Sequence, residues 1–272
     1  MSHLQNLHTH TTYVDGKDTP EELILRAIEL GFGSIGFSEH SYLPYSSFPN
    51  QLTDEKLQCY RQEILALKQA YTHAIEIFCG LEYDFYSNVD TAGLEYLIGS
   101  VHYLQCGDEI KTFDVGLKET HDYIERYFGG DAMAFAKKYY ETVARLPERE
   151  NFDIIGHFDL LTKNNEQGKF LDTSAKEYLH FGFEAIHALK GKIPFFEVNT
   201  GAISRGYTSK PYPQIEFLKE LHACGFGAVI TSDCHNKTFL DCHFEDAKAL
   251  LARAGFSSRY ILTNNGFKEI GL

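Results

Sequence analysis

No run of this chain approaches the roughly 20 consecutive apolar residues that a membrane-crossing helix needs. The opening Met-Ser-His3-Leu-Gln carries no basic stretch ahead of the first strand-like run. Both absences predict a soluble, unexported, cytoplasmic protein. Six cysteines (Cys59, Cys79, Cys106, Cys224, Cys234, Cys242) are scattered without a C-x-x-C pair or compact disulfide spacing, which suits a reducing compartment and buried thiols. Positive charge is scarce too: 25 Lys and Arg stand against 38 Asp and Glu, for a formal charge of -13. Such a surface repels a polyanion, and no basic stripe with interleaved aromatics offers a track for a strand, so long nucleic acid is excluded as a partner. A small phosphorylated metabolite stays compatible, because clustered divalent ions override a surrounding negative field. No internal repeat or low-complexity linker divides the 272 residues, so a single domain spanning 1–272 is expected.

What the chain has is alternation of strand-like and helical runs. A strand from Leu4 to His10 precedes Thr19-Pro20-Glu21-Glu22, which opens a helix with a cap, proline at the first position and acid in the first turn, ending near Gly31. Strands follow at Ser34–Phe37, Ile75–Leu81, Tyr96–Val101, Phe152–Gly156, Ile193–Val198 and Gly227–Thr231, with a short extra one at Tyr260–Thr263. Helices are expected from Thr53 to about Thr72, over Lys118–Leu146 with a break near Gly129-Gly130 and a stop at Pro147, and over Ser174–Lys190, Pro213–Cys224 and His243–Ala254. Seven βα-like units predict an α/β fold, a TIM-like barrel, with an open doubly wound sheet as the other architecture.

Seven short segments carry a metal-ligand type of residue, six of them where a strand-like run stops: His8-Thr-His10 with Asp15, Glu39-His40, Glu82, His102, His157, Glu197 and Asp233-Cys-His235. Residues two apart on a strand face the same way, so His8 and His10 can reach one ion while Asp15 bends back from the loop. Asp233 and His235 repeat that spacing at the end of a distant strand, which packing alone does not account for. Glu82 closes the apolar run Ile-Phe-Cys-Gly-Leu, and a buried carboxylate is costly unless paired or bound to a cation.

Together, His8-x-His10 with Asp15-Gly16, Ser38-Glu39-His40, Gly80-Leu81-Glu82, Gly99-Ser-Val-His102, Gly156-His157 and Ser232-Asp233-Cys-His235 resemble the polymerase and histidinol phosphatase (PHP) family, in the family's order and across residues 4 to 240. Phe196-Glu197-Val-Asn199-Thr200, Arg205 and Pro211-Tyr-Pro213 look most like the family's stand-alone histidinol-phosphatases. The resemblance implies a distorted seven-stranded (β/α)7 barrel with three divalent ions. One would take His8, His10, Glu82 and Asp233, a second Asp15, His40 and His235, and a third Glu82, His102 and His157. Many members have histidine where Asp15 stands; a carboxylate there favours Mn or Fe over Zn, and the identity of the ions stays open.

The implied reaction is phosphomonoester hydrolysis of L-histidinol phosphate, a step of histidine synthesis, by a hydroxide bridging two ions. Asp233, or a water near His235, would protonate the leaving alkoxide. Arg205 and Lys163 are candidates for binding phosphoryl oxygens, and Ser38 and Asn199 for orienting the substrate. The loop Ser41-Tyr42-Leu-Pro-Tyr45, with Asp84, Tyr86 and Tyr103, is expected to receive the imidazole and ammonium. Hydrolysis of nucleotide mono- or bisphosphates, or a phosphodiesterase or nuclease activity, are the alternatives, with an interaction module that binds metal without turnover as a third.

Overall fold

The fold is known from a computed structural model that describes residues 3–46 and 48–272. Met1 and Ser2, on which part of the expected leaderless start falls, lie outside the described residues. The strands are β1 (Gln5–Asn6), β2 (Ser34–Phe37), β3 (Glu76–Asp84), β4 (Tyr96–Ser100), β5 (Tyr103–Cys106), β6 (Glu109–Thr112), β7 (Ile154–Ile155), β8 (Phe195–Asn199), β9 (Gly227–Thr231), β10 (Ser258–Thr263) and β11 (Gly266–Gly271). The helices are α1 (Pro20–Glu29), α2 (Asp54–Ala70), α3 (Leu117–Phe128), α4 (Ala132–Val143), α5 (Asn165–Gly168), α6 (Lys176–Leu189), α7 (Gly201–Ser204), α8 (Ile215–Cys224) and α9 (Phe244–Ala254). Among the described residues no helix is long and apolar enough to cross a membrane.

Seven parallel strands follow one another in the order β1-β2-β3-β4-β7-β8-β9. The two outer strands meet beyond their own ends. His10 N–H donates to the Cys234 carbonyl at 2.8 Å and Cys234 N–H to the His8 carbonyl at 3.0 Å, a parallel bridge that closes the sheet. This is the expected barrel, nearly complete, and the joined edges rule out the open sheet.

Local chemistry accounts for most boundaries. Thr19 Oγ accepts the Glu22 N–H at 3.3 Å while the Glu22 carboxylate accepts the Thr19 N–H at 3.0 Å, the reciprocal cap that starts α1. Gly129 ends α3 at φ 61, and the Asp131 carboxylate accepts the N–H groups of Met133 and Ala134 to start α4, so the long helical stretch is two helices. The largest departures are β1 and β7, two residues each. Beyond β1 the Asn6 side-chain oxygen accepts the N–H groups of His8 (3.0 Å) and Ser232 (3.3 Å), replacing ladder bonds and turning the chain off the strand line. β3 instead runs on to Asp84, which places Glu82 inside a strand, opposite Ile98 of β4. Two antiparallel hairpins, β5–β6 and β10–β11, were not expected as pairs. The cysteines are free as anticipated, but only Cys79 and Cys234 are buried, and Cys59 is exposed on the outer side of α2.

The barrel interior is filled from its N-terminal end by Leu7, Phe78, Tyr96, Ile98, Ile154 and Val229. The Tyr96 ring occupies the room left by two glycines: a Cβ on Gly80 would come within 2.3 Å of the ring and one on Gly36 within 2.5 Å of its hydroxyl. That hydroxyl donates to the backbone carbonyls of Leu7 and Phe37. The β10–β11 hairpin covers the same end, with Gln5 and Leu262 exchanging bonds of 2.7 and 2.8 Å. The plug leaves the C-terminal ends of the strands as the open mouth.

Candidate metal centre

The mouth begins where β1 and β9 meet. His8 and His10 are fully buried, and so nearly is Asp233. His8 Nε2 lies 3.3 Å from Glu82 Oε2 and 3.8 Å from Asp233 Oδ1; His10 Nε2 lies 3.7 and 3.2 Å from the same two oxygens. Four ligand atoms around an ion with bonds of ~2.0–2.1 Å sit about 3.3–3.4 Å apart at tetrahedral corners. All four atoms are buried without a hydrogen-bond partner. Orphaned donors and acceptors at that spacing fit a cation, since leaving each unsatisfied costs ~1–3 kcal/mol. Asp233 also takes φ 45, a left-handed backbone that a non-glycine residue adopts under constraint. A Cβ on Gly201 would stand 2.7 Å from the Asp233 Cβ, so the start of α7 can approach only as glycine.

Glu82 is the hub of the remaining contacts. Its Oε2 is 2.6 Å from His40 Nδ1, and its Oε1 is 2.8 Å from His157 Nε2 and 3.3 Å from His102 Nε2. On the outer side Asp15 Oδ2 lies 3.2 Å from His235 Nε2 and 3.6 Å from His40 Nε2. Three compact groups result, with ligand atoms within 4.8 Å of one another: His8, His10 and Asp233; His10, Asp15, His40 and His235; and His40, Glu82 and His102. The nine anticipated side chains therefore converge, but the grouping differs from the expected one: Glu82 falls outside the first group and His10 also joins the second. His40 joins Glu82 and His102 in the third group, and His157 reaches it through Glu82 alone.

Charge and burial shape the nest. Burial alone would raise the pKa of Glu82, but the rings of His40, His8 and His102 hold it well below the ordinary carboxylate range. Burial, then the neighbouring rings of His235 and His40, push His10 down to about 3. Those two rings stack on His10 at 4.2 and 4.3 Å, and the lowered pKa keeps the ring neutral, with one nitrogen free to act as a ligand.

Two carboxylates stand behind imidazoles. Glu197, fully buried in β8, has Oε2 at 2.8 Å from His8 Nδ1 and also accepts Thr231 Oγ–H at 2.7 Å, while its Oε1 accepts the His157 N–H at 2.7 Å. Asp84 Oδ2 accepts the His102 N–H at 2.8 Å and lies 3.3 Å from His102 Nδ1. Such partners fix which ring nitrogen faces the ion. The sequence singled out Glu197 without giving it a task; like Glu82 it is an acid inside an apolar strand, and that signal was available.

The anticipated substrate residues separate. Arg205 Nη2 pairs with Asp233 Oδ2 at 2.8 Å, and its Nη1 reaches the Asp233 carbonyl and His235 Nδ1, both at 2.9 Å, so it is held at the edge of the nest. With the guanidinium in contact Asp233 stays well below the carboxylate range, although burial opposes this. Asp233, expected as a proton donor, here accepts the Arg205 N–H. Lys163 pairs with Asp114 at 2.6 Å. Ser38 and Asn199 are corrected as well, being fully buried in the wall. Ser38 Oγ accepts the Thr9 N–H at 3.2 Å where the ladder ends, and the Asn199 amide donates to Glu197 at 2.9 Å and accepts the Gly201 N–H at 2.9 Å.

A cavity of about 250 Å3 opens over the nest, bounded by Asp15, His40, Glu82 and His102 on one side and by Leu43, Phe48, Tyr103, Thr112 and Asp114 on the other. Ser41 and Asp84 also line it, whereas Tyr45 and Tyr86 line a separate hollow with Arg145 and Arg149. The unforeseen β5–β6 hairpin supplies Tyr103 and Thr112. Its turn, Gly107-Asp108 between two short runs with Gly107 at φ 63, is a hairpin signal that the sequence carried.

A closed parallel barrel with clustered imidazoles and carboxylates at its mouth defines a metal-binding hydrolase type of site. Residues 6–201 match the PHP domain, and the chain belongs to that family. Asp233 and His235 lie beyond the matched stretch. A Deinococcus radiodurans protein named "Probable histidinol-phosphatase" is 28% identical, over 91% of this chain and 92% of its own. The Bacillus subtilis protein named "Histidinol-phosphatase" is also 28% identical, over 84% of this chain and 92% of its own. Among solved structures, histidinol phosphate phosphatase from Lactococcus lactis, complexed with zinc, L-histidinol and phosphate, matches with a TM-score of 0.70 at 22% identity, covering 98% of this chain and 99% of that one. A Listeria monocytogenes structure matches with a TM-score of 0.75 at 20% identity, over 89% of this chain and 99% of its own.

Proposed function

We propose that residues 1–272 act as one cytoplasmic phosphomonoesterase domain that hydrolyses L-histidinol phosphate to L-histidinol and phosphate in histidine biosynthesis. The observation that carries the reading is the set of unpartnered buried atoms on His8, His10, Glu82 and Asp233 at coordination spacing, below a cavity of small-metabolite size. The names of relatives that share nearly the whole length of the chain support the substrate.

Three divalent ions fit the donor set. His8, His10, Glu82 and Asp233 would hold one, Asp15, His40 and His235 a second, and Glu82 with His102 and His157 a third. The mixture of imidazole and carboxylate suits Zn, Mn or Fe, with Asp15 as the hard ligand of the second. When bound, such ions supply the positive charge that holds a phosphoryl group and lower the pKa of an attacking water from 15.7 to about 7. Arg205, anchored on Asp233 and His235, adds a fixed cation beside the phosphoryl oxygens. Lys163 contributes at longer range through its pair with Asp114. Asp114 and Asp84 give the cavity an acidic wall, which suits an ammonium and an imidazolium and disfavours a second phosphate.

The deciding experiment is phosphate release from histidinol phosphate, nucleoside mono- and bisphosphates and short oligonucleotides, with metal analysis of the same sample. Expected are preference for histidinol phosphate and close to three divalent ions per chain. Faster release from nucleotides overturns the substrate, and one ion per chain overturns the trinuclear centre.

A further inference from the structure

A second cavity, of about 690 Å3, shares none of its lining with the one over the nest. It lies among the segments that follow His157 and Arg205, and α9 closes its outer side. Two of its lining residues, Asp159 and Tyr212, are 2% and 3% exposed, and each carries an oxygen without a partner: Asp159 Oδ1 and the Tyr212 hydroxyl. The other Asp159 oxygen is satisfied by the Gln214 N–H at 2.9 Å, so the carboxylate is fixed in place with one acceptor spare. A native fold keeps few such groups, and those that line a cavity become satisfied when a ligand or an ordered water completes them. At the mouth stand Lys210 and Arg253, both exposed and neither paired with a carboxylate among the described residues. Of the other acids on the wall, Asp246 is engaged by His243 at 2.6 Å and Glu166 by the Ser209 hydroxyl at 2.8 Å, while Glu216 has no side-chain partner among the described residues.

We infer that this cavity is a second small-molecule site, for a basic α-amino acid whose side-chain cation meets Asp159 and Tyr212 in the interior and whose carboxylate meets Arg253 and Lys210 at the mouth. An acid inside and cations outside select a ligand with opposite charges at its two ends. The four acidic side chains on the wall against two basic ones favour a net positive charge on it. The volume is in the range of small-ligand sites, ~300–1,000 Å3. The site has a physical route to the nest. Tyr212 exchanges backbone bonds of 2.9 Å with Asn199, whose amide holds Glu197 against His8, and Asp159 lies two residues past His157. Occupancy therefore acts on the residues that orient two imidazoles, without entering the catalytic cavity.

Isothermal titration of the full chain with L-histidine, L-arginine and L-lysine tests this, with 1,4-diaminobutane and acetate as probes that lack one end. Binding of at least one basic amino acid and neither half-probe is expected, weakened at least tenfold in Asp159→Asn and in Arg253→Ala. Arg253 and Ala249 lie on the exposed side of α9, so Arg253→Ala and the cavity-filling Ala249→Phe keep the test open if Asp159→Asn fails to fold. Absence of heat with all three amino acids means that the cavity holds water only, and the inference falls. Binding that survives both Arg253→Ala and Ala249→Phe places the ligand elsewhere, and the inference falls equally. Neither result bears on phosphate release at the nest.

Discussion

Glu82 is a buried carboxylate within 3.7 Å or less of five imidazoles, those of His8, His10, His40, His102 and His157. In Glu82→Gln the amide keeps the volume and loses the charge that would face two of the proposed ions. The expected result is joint loss of more than one metal per chain, with turnover falling well beyond the ~10–100-fold that loss of an outer partner costs. Metal analysis beside phosphate release checks this, and a variant with full metal content would move the hub elsewhere. Glu197→Gln should show that smaller, ~10–100-fold penalty in metal affinity or turnover, because it frees His8 to rotate but removes no ligand. Asp114 gives the clearest pH effect. Burial opposes its ionisation, yet Lys163 and His102 bring it from 3.8 to about 2. A lowered carboxylate pKa contributes stability above the unfolded value that disappears as pH falls through the folded one. The melting-temperature gap between the protein and Asp114→Asn should hold from neutral pH down to about 4 and close towards about 2. A gap that widens on acidification would contradict the pairing.

At the level of elements, the strand ends that carry ligands were legible in the sequence because packing alone rarely sets an alternate pair of histidines, or an acid, at the close of an apolar run. The short length of β1 and β7 was not legible, since it depends on the Asn6 side chain taking over ladder bonds from across the barrel. Ser38 and Asn199 were misread for the same reason: a polar residue beside a ligand looks alike whether it faces the cavity or repairs the end of a ladder. The order of metal-ligand segments was readable, whereas the place of His157 in the third group depends on ring positions that only packing decides. Helix α7 offers a test at this scale. Gly201→Ala puts a methyl 2.7 Å from the Asp233 Cβ and the Ser232 carbonyl, so it should displace Asp233 and lower kcat/KM. Far-UV circular dichroism should stay unchanged, and normal activity in this variant would show that α7 gives way without cost to the site.

The whole molecule is a barrel stoppered at one end and reactive at the other. Tyr96 spans the stopper, touching backbone of both β1 and β2 regions through one hydroxyl. Tyr96→Phe strips two buried carbonyls of their donor and is expected to lower unfolding free energy by ~1–3 kcal/mol. Urea denaturation with activity measured in parallel separates this loss from any change in the site. Unaltered stability would mean that water replaces the hydroxyl.

The joint between the first and last strands has a consequence during synthesis. His8 and His10 leave the ribosome more than two hundred residues before Asp233, the fourth corner of the proposed coordination set. Until then a nascent chain offers the early histidines no complete pocket, and a cation captured prematurely would be held by fewer bonds. With the proposed centre, loading and circularisation of the sheet would be the same closing event, a clasp across more than two hundred residues of chain.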